Sequence, residues 1–157
     1  MKLHRIIFIT LLVLSFFCLF SCAGTPDKRT DSLYIMVYDF NNCELMNVSI
    51  YIDGKEIGKT DIYGRLMYPC ENEKEVFIRA EKQSYETIEE NTAVKPGIVI
   101  YIKMGNGSYY AQQAEKLLDE NNLSSSLEVI DKALEINDRK DWRFLKSVII
   151  RRLENAE

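Results

Sequence analysis

The sequence predicts an α+β protein in which a small antiparallel β-sandwich of about seven strands precedes a three-helix segment. Two patterns carry this prediction. From Leu33 to Met104, apolar residues recur with a period of two, as in strands that bury one face. From Ser108 onward the period lengthens to that of a helix. Residues 105–107, Gly-Asn-Gly, separate the two patterns and are expected to form a hinge or a sharp turn.

The first strands are defined by alternation and by one turn. Residues 33–40 read LYIMVYDF, and because both alternating sets are largely apolar, this strand is expected to be covered on both faces. Residues 48–53 alternate apolar with more polar residues and run into Asp53-Gly54. That dipeptide is a strong hairpin signal because both turn positions need positive φ. A second turn is expected at 60–64. The later strands are predicted at residues 65–68, 75–82, 85–91 and 97–104.

Three amphipathic helices are predicted after the Gly-Asn-Gly segment. Ser108 is expected to cap the first helix and Ser124 the second, since a serine oxygen accepts from free backbone N–H groups. The third helix is expected over residues 139–155. Short breaks between the helices predict antiparallel neighbours.

Residues 1–21 predict a secretory signal peptide. Lys2 and Arg5 precede an apolar run over residues 6–20, which ends at Leu19-Phe20-Ser21-Cys22. A membrane-spanning helix needs about 20 apolar residues, more than this run supplies. The residues themselves leave a plain signal peptide and an uncleaved anchor as alternatives.

Residues 19–22 resemble the processing site of bacterial lipoproteins. The resemblance implies that Cys22 becomes the first mature residue and carries lipid, which holds the protein to a membrane. It also implies a place in the cell envelope, and Ala23 is compatible with an outer membrane, facing the periplasm or the surface. Residues 22–32, CAGTPDKRTDS, are expected to form a flexible tether.

Charge and histidine content exclude several functions. The net charge is −4, and removal of residues 1–21 takes away Lys2 and Arg5 and leaves about −6, which argues against a nucleic-acid partner. The single histidine, His4, lies in the signal, so no histidine base or metal ligand remains. We therefore predict no catalytic, cofactor or metal site and no enzymatic activity.

Cys43 and Cys70 are the cysteines left after processing and lipidation. An oxidising compartment favours a disulfide, but alternating strand directions place the two at opposite ends of the sandwich. A strand of ordinary length spans about 17–20 Å, whereas a disulfide needs Cα atoms within about 7 Å. We therefore predict two thiols.

Three groups of polar or aromatic residues have both a functional and a structural interpretation. The first is a set of acidic residues that is read as a calcium site or, as we favour, as turn formers: Asp39, Asp53 and Asp61. The second is a set of tyrosines, read as a ligand platform or as strand packing, which we favour: Tyr34, Tyr38, Tyr51, Tyr63 and Tyr68. The third is a basic set in the last helix, read as a binding patch or as a solvated face, which we favour: Arg143, Lys146, Arg151 and Arg152.

The strand region resembles two families of small sandwich domains. Residues 48–60, VSIYIDGKEIGKT, resemble the core of PEGA domains. Residues 60–65, TDIYGR, resemble the carboxypeptidase regulatory-like, or transthyretin-like, sandwich. Residues 82–86, KQSYE, resemble a later strand of both, with Ser84 in place of glycine. The resemblance implies a sandwich over residues 33–104 that acts as an accessory domain.

The helical region, residues 108–157, resembles one tetratricopeptide repeat. The large residue of the first helix is met by Tyr110, and small residues at the helix crossing are met by Ala114 and Ser126. Ala133-Leu134 matches the end of the second helix. The alternative is a plain three-helix packing unit. The change of period predicts that this segment is separable from the sandwich.

These inferences lead to one expected function. The chain is expected to be a non-enzymatic envelope lipoprotein that acts as a protein-interaction or scaffold module, with an envelope protein as partner. The alternative is an accessory domain or sensor that binds carbohydrate or a peptidoglycan fragment.

Overall fold

The computed structural model describes residues 32–156. The predicted signal peptide, Cys22 and the tether up to residue 31 therefore lie outside the described residues. Seven strands are followed by three helices. The strands are β1 (Ser32–Asp39), β2 (Ser49–Ile52), β3 (Lys55–Lys59), β4 (Arg65–Pro69), β5 (Lys74–Glu81), β6 (Ile88–Val94) and β7 (Val99–Met104). The helices are α1 (Gly107–Asp119), α2 (Leu123–Ile136) and α3 (Lys140–Glu154).

The strands form two sheets, which confirms the predicted α+β class with a seven-stranded sandwich. Sheet A has the order β4-β1-β7, and sheet B has the order β3-β2-β5-β6. Four of the five strand pairs in these sheets are antiparallel. The exception is the pair of β1 and β7, which run parallel with Tyr34 opposite Val99. This parallel pair was not predicted. It arises because the chain leaves sheet B after β6 and returns to the free edge of β1.

Two hydrophobic clusters stabilise the fold. In the sandwich, alternate residues of β1 and of sheet B point inward, and Leu33, Ile35 and Ile78 are fully buried between the sheets. In the helices, Ile130 and Ile149 are fully buried in a second cluster. The two clusters share no residue, yet the sandwich and the helices belong to one compact unit. Separability of the helices therefore remains a prediction.

The Asp53-Gly54 turn has the predicted conformation. Both residues have positive φ, 50° for Asp53 and 79° for Gly54, as a two-residue hairpin of this type requires. The Asp53 carboxylate also accepts a hydrogen bond of 2.9 Å from the backbone N–H of Phe77, which joins the turn to β5.

Replacing Gly54 by valine is expected to lower the free energy of unfolding by at least about 1 kcal/mol, because a β-branched residue is strained at positive φ. No atom lies within 4 Å of an added Cβ, so the loss isolates backbone strain. Thermal denaturation measures it, with Gly54→Asn as the control that tolerates this φ. Overlapping melts of Gly54→Val and wild type would contradict the turn assignment.

One predicted strand start and two predicted helix caps differ from the structure in ways that have a physical reason. The strand expected from residue 85 begins at Ile88, because Tyr85 forms an isolated bridge with Asn106 instead. The first helix is capped by Asn106 rather than Ser108, and the second by Asn122 rather than Ser124. In both helices the asparagine side chain accepts from a backbone N–H of the first turn, which is the same chemistry as the predicted serine caps.

Cys43 and Cys70 lie at opposite ends of β1. Pro69 pairs with Ser32, so Cys70 lies beside the start of β1. Cys43 follows Asp39, the last of the eight residues of that strand. This arrangement agrees with the strand directions from which two thiols were predicted. Within residues 32–156, none of the three helices combines the length and the apolar character that crossing a membrane requires.

Candidate functional site

A recess in the described residues, which we call the junction cleft, lies where the sandwich meets α1 and α2. It has a volume of about 400 Å³. Its lining residues come from the loop before β6 and from the two helices: Tyr85, Glu86, Thr87, Tyr110, Lys132, Glu135 and Ile136.

Backbone hydrogen bonds fix the connection on which the cleft is built. Glu86 donates its N–H to the Gly105 carbonyl at 2.9 Å, and its carboxylate accepts from the Gly105 N–H at 2.6 Å. The Asn106 side chain accepts from the Tyr109 N–H at 2.8 Å and so begins α1. These bonds hold residues 105–107 in a tight turn between β7 and α1.

The two glycines of this turn are explained by close packing. A Cβ on Gly105 would lie 2.5 Å from the ring of Tyr110. A Cβ on Gly107 would lie 2.7 Å from the indole ring of Trp142 and 3.2 Å from the carbonyl oxygen of Ala133. Both contacts are shorter than real Cβ atoms normally make. Glycine at these positions therefore lets two aromatic rings lie directly on the backbone.

A tyrosine–carboxylate pair occupies the wall of the cleft. Burial raises the pKa of the Tyr110 hydroxyl, and a hydrogen bond to Glu86 together with the negative charge of that carboxylate raises it further. Deprotonation would place a second negative charge beside the Glu86 carboxylate, so the neutral hydroxyl is favoured. The Lys132 ammonium lies 5.9 Å from the centre of the Tyr110 ring, within the range of a cation–π contact.

The chemistry of the cleft favours binding through hydrogen bonds and ring contacts. The Glu86 carboxylate is engaged by Gly105 and Tyr110. Lys132 and Glu135 are exposed at the rim and carry opposite charges. Within residues 32–156, no group of three or more His, Cys, Asp or Glu side chains is placed to hold a metal ion.

Replacing Tyr110 by phenylalanine is expected to lower the free energy of unfolding by about 1 kcal/mol at neutral pH, since a hydrogen bond to a charged group is lost. The raised pKa in the folded state gives stability that is present below the ordinary tyrosine pKa of about 10 and is lost as pH rises above it. The difference in free energy of unfolding between wild type and Tyr110→Phe should therefore be smaller at about pH 11 than at about pH 8. Urea denaturation at both values measures it. A difference that is constant or widens would contradict the raised pKa of Tyr110 in the folded state.

The acidic residues singled out in the sequence form turns, as predicted. The Asp39 carboxylate accepts from the N–H groups of Asn41 and Cys43, each at 2.8 Å. The Asp61 carboxylate accepts from the backbone of Arg65 and Tyr63, and these bonds hold the pKa of Asp61 below its usual value.

The basic residues of α3 agree with a solvated face. Arg143 pairs with Asp138 at 3.1 Å, and Lys146 pairs with Asp131 at 2.6 Å.

The five tyrosines singled out in the sequence lie in different places. Tyr68 packs on the sandwich core, and Tyr34 is exposed on the outside of sheet A. Tyr51 of β2 lies under the Arg79 guanidinium, and Tyr63 is exposed in the turn before β4.

Sequence reasoning missed the principal residues of the cleft. Glu86 was placed within a strand, and Lys132 and Glu135 were not distinguished from other charged residues of an amphipathic helix. No local pattern connects them, because they come from elements far apart in the chain. Tyr110 was singled out only for its size within the first helix.

No protein-family model and no curated protein sequence matches this chain. Among solved structures, it is similar to the Bacillus anthracis TIE protein, with 16% identity, a TM-score of 0.41, and coverage of 48% of this chain and 16% of that chain. It is similar to BcpA, the major pilin subunit of Bacillus cereus, with 15% identity, a TM-score of 0.38, and coverage of 48% and 28%. For 3-chlorocatechol 1,2-dioxygenase from Rhodococcus opacus 1CP, the identity is 13%, the TM-score 0.34, and the coverage 53% and 63%. The matched region thus spans between 16% and 63% of these proteins, and similarities this distant transfer no function.

Proposed function

We propose that this chain is a non-enzymatic lipoprotein of the bacterial envelope that acts as a protein-interaction module. Lipid on Cys22 holds it to a membrane, at the outer membrane in the arrangement we favour, and the junction cleft binds a second envelope protein. The observation that carries the binding proposal is the cleft itself, which combines exposed charges from α2 with residues of the sandwich loop.

The size and chemistry of the cleft support a short polar segment as its occupant. A volume of about 400 Å³ is at the lower end of ligand pockets, which run to about 300–1,000 Å³. Such a recess accepts a few side chains rather than a folded domain. Lys132 and Glu135 offer one charge of each sign at the rim, so a partner segment that also carries both signs would fit.

Two further features support the assignment. Residues 1–22 have the layout of a lipoprotein signal, and residues 22–32 supply a polar tether. The antiparallel packing of α1 on α2 is compatible with the resemblance to a tetratricopeptide repeat, a unit whose family binds other proteins. Ser126 is fully buried at that crossing and donates to the Ala114 carbonyl at 2.7 Å, so a small polar residue suits close helix contact.

Photo-crosslinking in intact cells tests the partner. A photoreactive amino acid is placed at Glu135, on the rim of the cleft, or at Glu89, an equally charged and exposed residue on the outside of sheet B. Irradiation is expected to produce an adduct of higher mass from position 135 and none from position 89. No adduct at position 135, or equal adducts at both positions, would contradict binding in the cleft.

The second candidate is a carbohydrate or peptidoglycan fragment in the same cleft. It is favoured by the rings of Tyr85 and Tyr110, which lie beside the carboxylates of Glu86 and Glu135, since sugars are held by ring contacts and polar groups together. Calorimetric titration of the mature protein with muropeptides tests it. Binding that is lost in Tyr85→Ala would favour this candidate over a protein partner.

A further inference from the structure

The outside of sheet A is an apolar surface that nothing covers within residues 32–156. We call this surface the outer face. It consists of the side chains of β4, β1 and β7 that point away from the sandwich core. Its apolar and aromatic members are Tyr34, Met36, Tyr38, Met67, Val99 and Tyr101.

The pairing register makes these side chains contiguous. Tyr34 lies between Met67 on β4 and Val99 on β7. One row further along, Met36 lies opposite Tyr101. The fractional exposure is 44% for Tyr34, 54% for Met67 and 66% for Tyr101. The apolar content of both alternating sets of β1 predicted cover on both faces, and sheet B supplies it on the inner face alone.

The outer face also differs in charge from the rest of the sandwich. Arg65 and Lys103 point outward on it. Arg65 is paired with Asp61 of the preceding turn at 3.0 Å. Lys103 donates to the side chain of Asn42 and has no carboxylate partner within residues 32–156. The outside of sheet B instead carries more carboxylates than cations. The carboxylates are Glu56, Glu75, Glu81 and Glu89, and the cations are Lys59 and Arg79. The outer face is thus mainly apolar, and the cation on it without an ion pair within residues 32–156 is Lys103.

We propose that the outer face docks on the anionic lipid surface to which Cys22 is attached. This inference rests on the lipid anchor of the proposed function. The chain itself brings the two together, because β1, the central strand of sheet A, begins ten residues after Cys22. A fully extended segment of that length reaches about 33–36 Å, so the face stays close to the membrane.

The composition of the outer face matches a lipid interface. Tyrosine is enriched where hydrocarbon meets headgroups, because its ring is apolar and its hydroxyl is polar. Methionine and valine add apolar contact, and the Lys103 ammonium is attracted to anionic headgroups. The acidic outside of sheet B is repelled by the same surface and faces away from it.

The area of the outer face argues against a stable contact with a second copy. Three strands about 4.8 Å apart and about 20 Å long present on the order of 300 Å². Specific protein interfaces bury about 800 Å² on each partner. A small face suffices on a membrane, because the anchor makes docking an intramolecular step with a high effective concentration.

Quenching by brominated lipid tests the docking. Two variants of the lipidated chain each gain one tryptophan: Tyr101→Trp on the outer face, and Phe77→Trp, which points outward from sheet B. Trp142 is the single native tryptophan and serves as a common background. Each protein is reconstituted in vesicles of phosphatidylethanolamine and phosphatidylglycerol, with or without brominated acyl chains. We expect quenching of the added Tyr101→Trp emission to be at least about twice that of Phe77→Trp, because quenching needs contact with the lipid interface.

Equal quenching of the two variants would overturn the proposal. The proposal would also be overturned if Tyr101→Trp were not quenched and position 101 crosslinked to another protein in native membranes. The outer face would then bind protein and not lipid. The mass of the purified chain shows separately whether Cys22 carries lipid. If that mass shows an unmodified Cys22, the proposed anchor fails, and the same comparison on the unlipidated chain with excess vesicles decides docking by itself. A difference between the variants then supports docking, and equality overturns it.

Discussion

Replacing Gly64 by alanine is expected to lower the free energy of unfolding by about 2–5 kcal/mol, more than a typical single substitution. Gly64 has a φ of +69°, which costs a residue with a Cβ about 1–2 kcal/mol. An added Cβ would also lie 2.5 Å from the carbonyl oxygen of Val37 and 3.2 Å from the backbone nitrogen of Leu45. These backbone atoms cannot move aside, since Val37 is hydrogen-bonded to both Gly64 and Leu45. Overpacking of this kind adds about 1–3 kcal/mol.

Gly54→Ala is the matched control for that prediction. Gly54 also has positive φ, at +79°, but nothing lies within 4 Å of an added Cβ. The free energy of unfolding of Gly54→Ala should therefore fall by about 1–2 kcal/mol, which is the backbone cost alone. Urea denaturation of both variants measures the difference. Equal losses of unfolding free energy in Gly64→Ala and Gly54→Ala would contradict the prediction that close contact with β1 excludes a Cβ at position 64.

Replacing Gly107 by alanine is expected to destabilise the helices by about 1–3 kcal/mol. Alanine in place of an exposed helical glycine normally stabilises by up to about 1 kcal/mol, so the expected sign is opposite to that of helix propensity. The reason is the Trp142 ring, which lies 2.7 Å from the position of the added Cβ and is itself buried.

Denaturation followed by Trp142 fluorescence measures the effect on the helical cluster. Ser108→Ala is the control, because Ser108 is the neighbouring residue of α1 and is exposed. Its effect should lie within about 0.5 kcal/mol of wild type. A Gly107→Ala protein as stable as wild type or more stable would contradict the packing of the indole ring on the turn.

The sandwich was largely predictable because its signals are local. Alternation of apolar residues depends on near neighbours, and Asp53-Gly54 specifies its turn through the φ that those two residues tolerate. The helices were predictable for the same reason, although the caps are Asn106 and Asn122 rather than the serines two residues later. Several adjacent residues in these segments can cap a helix, and packing decides between them.

The junction cleft was not predictable, because it depends on contacts between distant parts of the chain. Glu86 continues an apparent strand pattern, yet its polar groups bond to Gly105 and Tyr110. The parallel pairing of β1 with β7 has the same origin, since a free strand edge leaves no local signal. The outer face lies between these cases: the sequence shows that both sides of β1 are apolar, and the fold shows which side is left open.

The proposed lipid anchor at Cys22 underlies both the function and the docking of the outer face. Metabolic labelling with an alkyne fatty acid tests it most directly. The wild-type protein should be tagged and should fractionate with membranes, and Cys43→Ala should behave in the same way, because Cys43 is an exposed thiol with no part in anchoring. Cys22→Ala should lose both the tag and the membrane association. Equal tagging of wild type and Cys22→Ala would contradict the account.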